Sequence, residues 1–125
     1  MEKRILIVMA EPQTREFLAR VFVDAGFRPY TAPDSVGGLF QFGLIQPHLV
    51  VLEVNGWETL KRIRALSNVP LIALIEDTTQ DRIESLNRGA DYFVTKPLSV
   101  QELQAKVRAL LRSRPALWAS ALALE

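Results

Sequence analysis

The chain has 125 residues, a formal net charge of +1 and no cysteine. This length fits one domain that buries about two-thirds of its unfolded surface, and 49% hydrophobic against 23% charged residues argues against disorder. The balanced charge gives no field that would draw the domain to nucleic acid or to a membrane. Its first apolar run, about five residues long, is too short for a signal peptide or a membrane span, so we expect a cytoplasmic protein.

Short apolar runs alternate with helical patterns along the first half of the chain. A strand is predicted from Ile5 to Val8, and a helix follows from Pro12 to about Ala25. A second strand is predicted from Arg28 to Thr31, and Asp34 or Ser35 opens a weaker helix. The residues expected on the apolar faces of these two helices are Phe17, Leu18, Val21 and Phe22 in the first, and Val36, Leu39, Phe40 and Leu44 in the second.

The second half repeats the alternation, with helix starts marked by hydroxyl side chains and by an S-x-x-E capping pattern. The predicted elements are a strand from Leu49 to Leu52, a helix from Trp57 to Leu66, a strand from Leu71 to Ile75, a helix that begins at Thr78 or Thr79, a strand from Tyr92 to Val94, and a helix from Ser99 to about Ser113.

Five βα units in this order predict an α/β fold of the flavodoxin-like type. Parallel strands require right-handed crossovers, so we expect a doubly wound (βα)5 parallel sheet with strand order 2-1-3-4-5 and helices on both faces. In such a sheet the carboxyl ends of the strands meet at one crevice, where binding and chemistry take place. The residues expected at this edge are Met9, Ala10, Glu11, Glu53, Ile75 and Lys96.

Several motifs are spread over all five predicted strands. They are Ile5 to Val8 followed by Glu11-Pro12, Gly26-Phe27, Pro47 to Leu52, Val69 to Ile72, Gly89 to Phe93, Thr95-Lys96-Pro97 and Glu102-Leu103. With these motifs the chain resembles the receiver domain of two-component response regulators. Its last helix is most similar to the OmpR-like branch, whose receivers precede a winged-helix DNA-binding domain. We therefore interpret residues 1–113 as the receiver-like domain and residues 114–125 as a tail or the start of a linker.

The acidic positions of the family are changed in this chain. In the family the first strand ends in two carboxylates that help hold magnesium, and the third strand ends in an aspartate that accepts phosphate from a histidine kinase. Met9 and Ala10 replace the acidic pair, and Glu53 stands at the acceptor position. A hard cation needs several oxygen ligands. Glu11 and Glu53 are the carboxylates that remain at this edge, and they supply too few oxygen ligands. We therefore expect no magnesium site and no other cofactor.

The positions through which the family senses phosphate are changed as well. Ile75 replaces the switch hydroxyl, whereas Lys96 and the aromatic switch position, Phe93, remain. We expect Glu53 to pair with Lys96 and to hold one conformation. Glu53 is open to two interpretations, a phosphate mimic or a position without a remaining role, and Lys96 is interpreted as a structural relic rather than a catalytic group.

Three further residues have a structural and a functional interpretation. His48 is interpreted as a surface turn residue rather than a phosphorylated or metal-binding histidine, and Met9 as core packing. Trp57 is interpreted as a cover for a loop shorter than that of the family, with partner binding as the alternative.

The fourth helix, fifth strand and fifth helix form the face through which OmpR-like receivers dimerise. The residues expected there are Arg82, Tyr92, Glu102 and Lys106. Arg82 and Glu102 match a cross-subunit charge pair, whereas Tyr92 replaces an acid that would have met Lys106. The resemblance therefore implies a homodimer with weakened charge pairing.

Two functions follow. The first is an atypical receiver domain that controls transcription through protein contacts, independently of aspartyl phosphorylation, with DNA bound by a separate effector domain. The alternative is a small-molecule sensor, because Met9, Ala10 and Ile75 would make the crevice more apolar. We expect no enzyme, because the sequence contains neither a nucleophile–base pair nor a glycine-rich phosphate loop. A receiver-like protein without an effector domain is the rival to the longer regulator.

Overall fold

The structure is a computed structural model that describes the backbone of residues 2–124 and the side chains of residues 2–112. In this part of the chain strands and helices alternate. The strands are β1 (Arg4–Val8), β2 (Arg28–Ala32), β3 (Leu49–Glu53), β4 (Leu71–Ile75) and β5 (Tyr92–Thr95). The helices are α1 (Pro12–Asp24), α2 (Ser35–Ile45), α3 (Glu58–Leu66), α4 (Thr79–Asn87) and α5 (Val100–Leu124).

The strands form one parallel sheet in the order β2-β1-β3-β4-β5, which confirms the predicted flavodoxin-like topology. The register aligns Val8 with Leu52 and Ile75 with Thr95, so the carboxyl ends of the central strands lie at a common edge. The backbone N–H of Lys96 donates to the carbonyl of Ile75 (2.9 Å) and continues the pairing beyond the end of β5.

Successive side chains of a strand point to opposite sides, so the sheet has two apolar faces. Helices cover both of them. The α1 and α5 side includes Ile5, Ile7, Leu18, Phe22, Leu103 and Val107, and the α2 and α3 side includes Leu6, Val8, Leu60, Ile63 and Ala73. Every residue of β4 is buried. This explains its continuous apolar run, since a strand covered on both faces does not alternate.

Side-chain caps fix the starts of α2 and α4. Asp34, rather than Ser35, accepts a hydrogen bond from the backbone N–H of Gly37 (2.8 Å) and caps α2. Thr78, rather than Thr79, caps α4. The third helix begins one residue later than predicted, because Trp57 is its capping residue and has non-helical dihedral angles.

The core face of α2 differs from the prediction. Val36, Phe40 and Leu44 are 81%, 70% and 68% exposed, respectively. The reason is the buried Gly38, where a Cβ atom would lie 2.8 Å from Val8 Cγ2, so the helix backbone rests directly on β1. At 3.6 residues per turn, Val36, Phe40 and Leu44 lie off the side of this glycine, and Leu39 is the one predicted residue of α2 that packs against the core. The side chains that pack on the sheet are Leu39, Phe42 and Ile45.

Phe17 in α1 and Leu66 in α3 were also expected in the core but are exposed. Leu18 takes the core position beside Phe17, and Leu66 is the final residue of its helix, one turn beyond the buried Ile63. Phe17 and Leu66 therefore lie at the border of the buried face of their helices, and both side chains are exposed to solvent.

The last helix is longer than predicted. Its backbone is helical to Leu124, whereas the proline at position 115 suggested an end near Ser113. Residues 116–124 are mostly alanine and leucine, the strongest helix formers, which favours continuation beyond the proline. The interpretation of residues 114–125 as a linker lies outside the described side chains. No helix among the described residues is both long and apolar enough to cross a membrane.

Candidate functional site

A shallow depression of about 390 Å³ lies at the carboxyl edge of the sheet. Its lining residues are Ala10, Glu53, Val54, Asn55, Gly56, Trp57, Glu76, Asp81 and Lys96. Met9 and Ile75 are only 2% and 1% exposed and pack into the two cores instead. The expectation that these two side chains make the crevice more apolar is therefore wrong, although the interpretation of Met9 as core packing is confirmed.

Glu53 is held through both of its carboxylate oxygens. Oε1 accepts a hydrogen bond from the backbone N–H of Ala10 (2.9 Å), and Oε2 lies 3.1 Å from the ammonium nitrogen of Lys96. The expected pairing of Glu53 with Lys96 is thus present. Glu76 adds a second carboxylate at 3.3 Å from Lys96. Sequence reasoning missed this partner, although its position immediately after β4 placed it at the same edge.

The surroundings of Lys96 favour its charged form. Burial by itself lowers the pKa of Lys96, but the hydrogen bond and charge of Glu53, followed by those of Glu76, outweigh it and raise the pKa above its usual value. Because the reference pKa of lysine is about 10.4, the ammonium group remains protonated around neutral pH. The Lys96–Pro97 peptide bond that follows is cis.

The turn after β1 is held from two sides. Arg15 Nη1 donates hydrogen bonds to the carbonyls of Met9 (2.8 Å) and Ala10 (3.2 Å), while Glu53 accepts from the Ala10 N–H. Glu11 takes part in helix capping, since its carboxylate accepts from the backbone N–H groups at positions 13 and 14. Hydrogen bonds from Thr14 are the main reason that the pKa of Glu11 is lowered. The role of Arg15 had no signal in the sequence.

The donor set at this edge does not fit the magnesium ion that the family resemblance implies. Ala10 has no side-chain oxygen, the Glu11 carboxylate caps α1, and Glu53 faces the positive charge of Lys96. Within the described part of the chain, no three histidine, cysteine, aspartate or glutamate residues are grouped to hold a metal ion. A hard cation requires several converging oxygen atoms, so these residues leave no place for one.

The face formed by α4, β5 and α5 exposes apolar side chains beside charged ones. Ile83, Leu86 and Tyr92 are 53%, 49% and 39% exposed. Lys106 pairs with Glu102 (2.8 Å) and donates to the carbonyl of Phe93 (2.5 Å). Its ammonium group also lies over the Tyr92 and Phe93 rings, at 5.9 and 5.4 Å from their centroids.

The charge pair proposed across subunits has partners within the chain. Arg82 forms an ion pair with Asp77, and Glu102 pairs with Lys106. In this arrangement Arg82 and Glu102 each have an oppositely charged partner within the chain.

His48 and Trp57 both have structural contacts. His48 Nδ1 accepts a hydrogen bond from the backbone N–H of Arg4 (2.9 Å). Burial, followed by the charges of Arg4 and Lys3, lowers the pKa of His48. Trp57 packs partly against the α2 and α3 side of the core, and the guanidinium group of Arg88 lies 5.6 Å from its ring centroid.

Comparison with known proteins agrees with this architecture. Residues 5–108 match the family model described as the response regulator receiver domain. The chain is 38% identical over 115 residues to the transcriptional activator protein IrlR of Burkholderia pseudomallei, a match that covers 87% of this chain and 50% of that protein. It is 39% identical over 118 residues to the probable transcriptional regulator ycf27 of Galdieria sulphuraria, covering 89% and 46%.

A solved structure extends the likeness to three dimensions. The crystal structure of a two-component response regulator from Clostridium difficile superposes with a TM-score of 0.86 at 25% identity, covering 90% of this chain and 98% of that one. The fold, the register of the strand ends and the family match together define a receiver domain. The chain belongs to the response regulator receiver domain family. It spans about half the length of the curated relatives it matches.

Proposed function

We propose that this domain is an atypical receiver, in which regulation does not depend on aspartyl phosphorylation and is exerted through protein contacts. The observation that supports this most directly is the engagement of both Glu53 oxygens, one by the Ala10 N–H and one by Lys96. In this role the acceptor position provides a fixed structural link rather than a nucleophile.

The chemistry of phosphoryl transfer supports the proposal. That reaction depends largely on neutralising charge around the transferred group, usually with a metal ion. Here the single nearby cation, among the residues that line the depression, is Lys96, and it already faces two carboxylates. Ile75 has no hydroxyl group to bind a phosphoryl oxygen, and its side chain is buried in the core. A phosphoryl group at Glu53 would therefore lack the groups that stabilise it, so we assign the domain no reaction of its own.

The contacts through which the domain acts are assigned to the face of α4, β5 and α5. Ile83, Leu86 and Tyr92 provide exposed apolar surface there, and the surrounding ion pairs are satisfied within the chain. Apolar burial contributes more to a stable interface than exposed ion pairs, each worth less than about 1 kcal/mol. We propose a homodimer through this face.

The full protein is proposed to be a transcription regulator. The matched relatives named as regulators are about twice the length covered by this chain. We place the receiver domain at residues 1–113, a range that contains the family match over residues 5–108 and the α5 side chains Leu110 and Leu111, which pack against the core. The remaining helix would then lead towards an effector domain that binds DNA.

Sedimentation equilibrium of the chain, with and without acetyl phosphate and magnesium, tests the proposal. We expect a dimer whose association is the same in both conditions. Ile83→Glu should weaken association by placing a charge in the apolar face. The matched control is Val36→Glu on the exposed side of α2, which should leave association unchanged. Dimerisation that requires acetyl phosphate, or that both variants weaken equally, would contradict the proposal.

A further inference from the structure

The connection between β3 and α3 contains an Asn-Gly pair at the rim of the depression. Asn55 and Gly56 are both exposed, and both line the depression. Gly56 has a φ of +94°, and no heavy atom lies within 4 Å of the position of a Cβ atom at this residue. The segment therefore has open space around a backbone that only glycine readily adopts.

The backbone N–H after Asn55 differs from the N–H groups that follow the other asparagines, Asn68 and Asn87. After Asn68, the N–H of Val69 donates to Ser67 Oγ (3.0 Å). After Asn87, the N–H of Arg88 donates to the carbonyl of Glu84 (2.9 Å). Within the described residues, the N–H of Gly56 has no hydrogen-bond acceptor. Its nitrogen is thus the most available of the three for reaction with the preceding side chain.

We propose that Asn55 is a site of spontaneous deamidation. The backbone nitrogen of Gly56, after loss of its proton to solvent base, attacks Cγ of Asn55. The new N–Cγ bond forms as the Cγ–Nδ2 bond breaks, and the amide nitrogen leaves as ammonia. Water then opens the cyclic imide at either carbonyl carbon, which yields aspartate or isoaspartate. No electrons are transferred, and water is the sole co-reactant.

The product changes the charge of the depression. Its lining already contains the carboxylates of Glu53, Glu76 and Asp81 against the single ammonium group of Lys96. Deamidation adds a further negative charge two residues after Glu53, and an added nearby carboxylate favours the charged form of a lysine. The isoaspartate product also lengthens the main chain by one methylene group at position 55, two residues before Trp57. The modification is independent of how the domain is regulated.

Peptide mapping by mass spectrometry, after incubation of the full chain at mildly alkaline pH, tests this site. We expect the mass shift of deamidation, with isoaspartate as one product, in the peptide containing Asn55, well before any shift at Asn68 or Asn87. In Asn55→Gln, which keeps the amide but places its carbon one bond farther away, the corresponding peptide should remain unmodified over the same period.

A parallel incubation in urea separates the native arrangement from the local sequence. Unfolding removes the hydrogen bonds of the Val69 and Arg88 N–H groups. We therefore expect deamidation at Asn68 and Asn87 to accelerate, while the rate at Asn55 changes least. The inference would be overturned if Asn55 stayed intact in the folded chain. It would also be overturned if unfolding accelerated deamidation at Asn55 as much as at Asn68 and Asn87.

Discussion

Glu53 joins three strand ends through one side chain. It is the last residue of β3, its Oε1 accepts from the N–H that follows β1, and its Oε2 pairs with Lys96 after β5. The Glu53 side chain is 18% exposed and that of Lys96 is 34% exposed. An ion pair in this setting lies between an exposed pair, worth below about 1 kcal/mol, and a buried one, whose disruption costs several.

Replacing Lys96 by methionine should therefore lower the free energy of unfolding by about 1–2 kcal/mol. Methionine keeps much of the length of the side chain, but it leaves the Glu53 carboxylate without its counter-charge. Urea denaturation measures the change. The matched control is Arg62→Met, which breaks the exposed pair with Glu58, and it should cost less than about 0.5 kcal/mol. Equal losses in the two variants would show that the Lys96 pair is an ordinary surface pair.

His48 should make stability depend on pH. Its folded-state pKa is lowered by burial and by Arg4 and Lys3, so folding favours the neutral ring. This contribution is fully present above the unfolded pKa of about 6.5 and is lost as pH falls through the folded value. His48→Asn keeps an acceptor for the Arg4 N–H but does not titrate. Urea denaturation at a series of pH values below about 6.5 should therefore show that the free energy of unfolding falls more steeply with falling pH in the parent chain than in His48→Asn. Equal slopes in the two proteins would contradict this role of His48.

Among the elements, α2 owes its orientation to a single glycine. Gly38 allows the helix backbone to rest on the branched side chain of Val8, and this contact leaves Val36 and Phe40 in solvent. Gly43, two turns from the start of the same helix, has nothing within 4 Å of its Cβ position. The two glycines therefore offer a comparison of packing with helix propensity in one element.

Gly38→Ala and Gly43→Ala should change stability in opposite directions. The first brings a methyl group to 2.8 Å from Val8 Cγ2, and such overpacking costs about 1–3 kcal/mol, more than the gain in helix propensity. The second meets open space and should stabilise the domain by about 0.5–1 kcal/mol. Thermal or urea denaturation measures both. Stabilisation by both substitutions would contradict the close contact of α2 with β1.

The elements that could be predicted from the sequence are those with one dominant signal. The continuous run from Leu71 to Ile75 predicted β4 with the bounds observed, because a strand buried on both faces needs no alternation. The core face of α2 could not be predicted, since its apolar residues surround the helix and the contact of Gly38 decides between them. An end of α5 near Ser113 was wrong because helix-forming residues follow the proline.

The candidate site was predictable to a similar degree. The topology placed Glu53 and Lys96 at one edge, and their opposite charges predicted the pair that is present. The contribution of Glu76 was not predicted, because the direction of a residue just after a strand depends on the loop. The two hydrogen bonds from Arg15 to the turn after β1 are contacts to backbone carbonyls, for which residue types give no signal.

The whole domain has the receiver architecture. The edge of its sheet at the carboxyl ends of the strands is held together by contacts within the chain. Glu53, Lys96 and Glu76 link β3, β5 and the residue after β4, and Arg15 holds the turn after β1. The apolar side chains of Ile83, Leu86 and Tyr92, on the face of α4, β5 and α5, remain exposed. These contacts support the proposal that regulation does not depend on phosphorylation, because no ligand is needed to bring the charged groups together.

The most direct measurement is an amide NMR titration of the labelled domain, first with magnesium and then with beryllofluoride, which mimics a phosphoryl group on a carboxylate. We predict no saturable shifts at Glu53, Glu76 or Lys96, because both oxygens of Glu53 are already engaged, one by the Ala10 N–H and one by Lys96. Saturable shifts that spread from these residues to Phe93 and α5 would mean that Glu53 accepts a phosphoryl group. Regulation independent of phosphorylation would then be wrong.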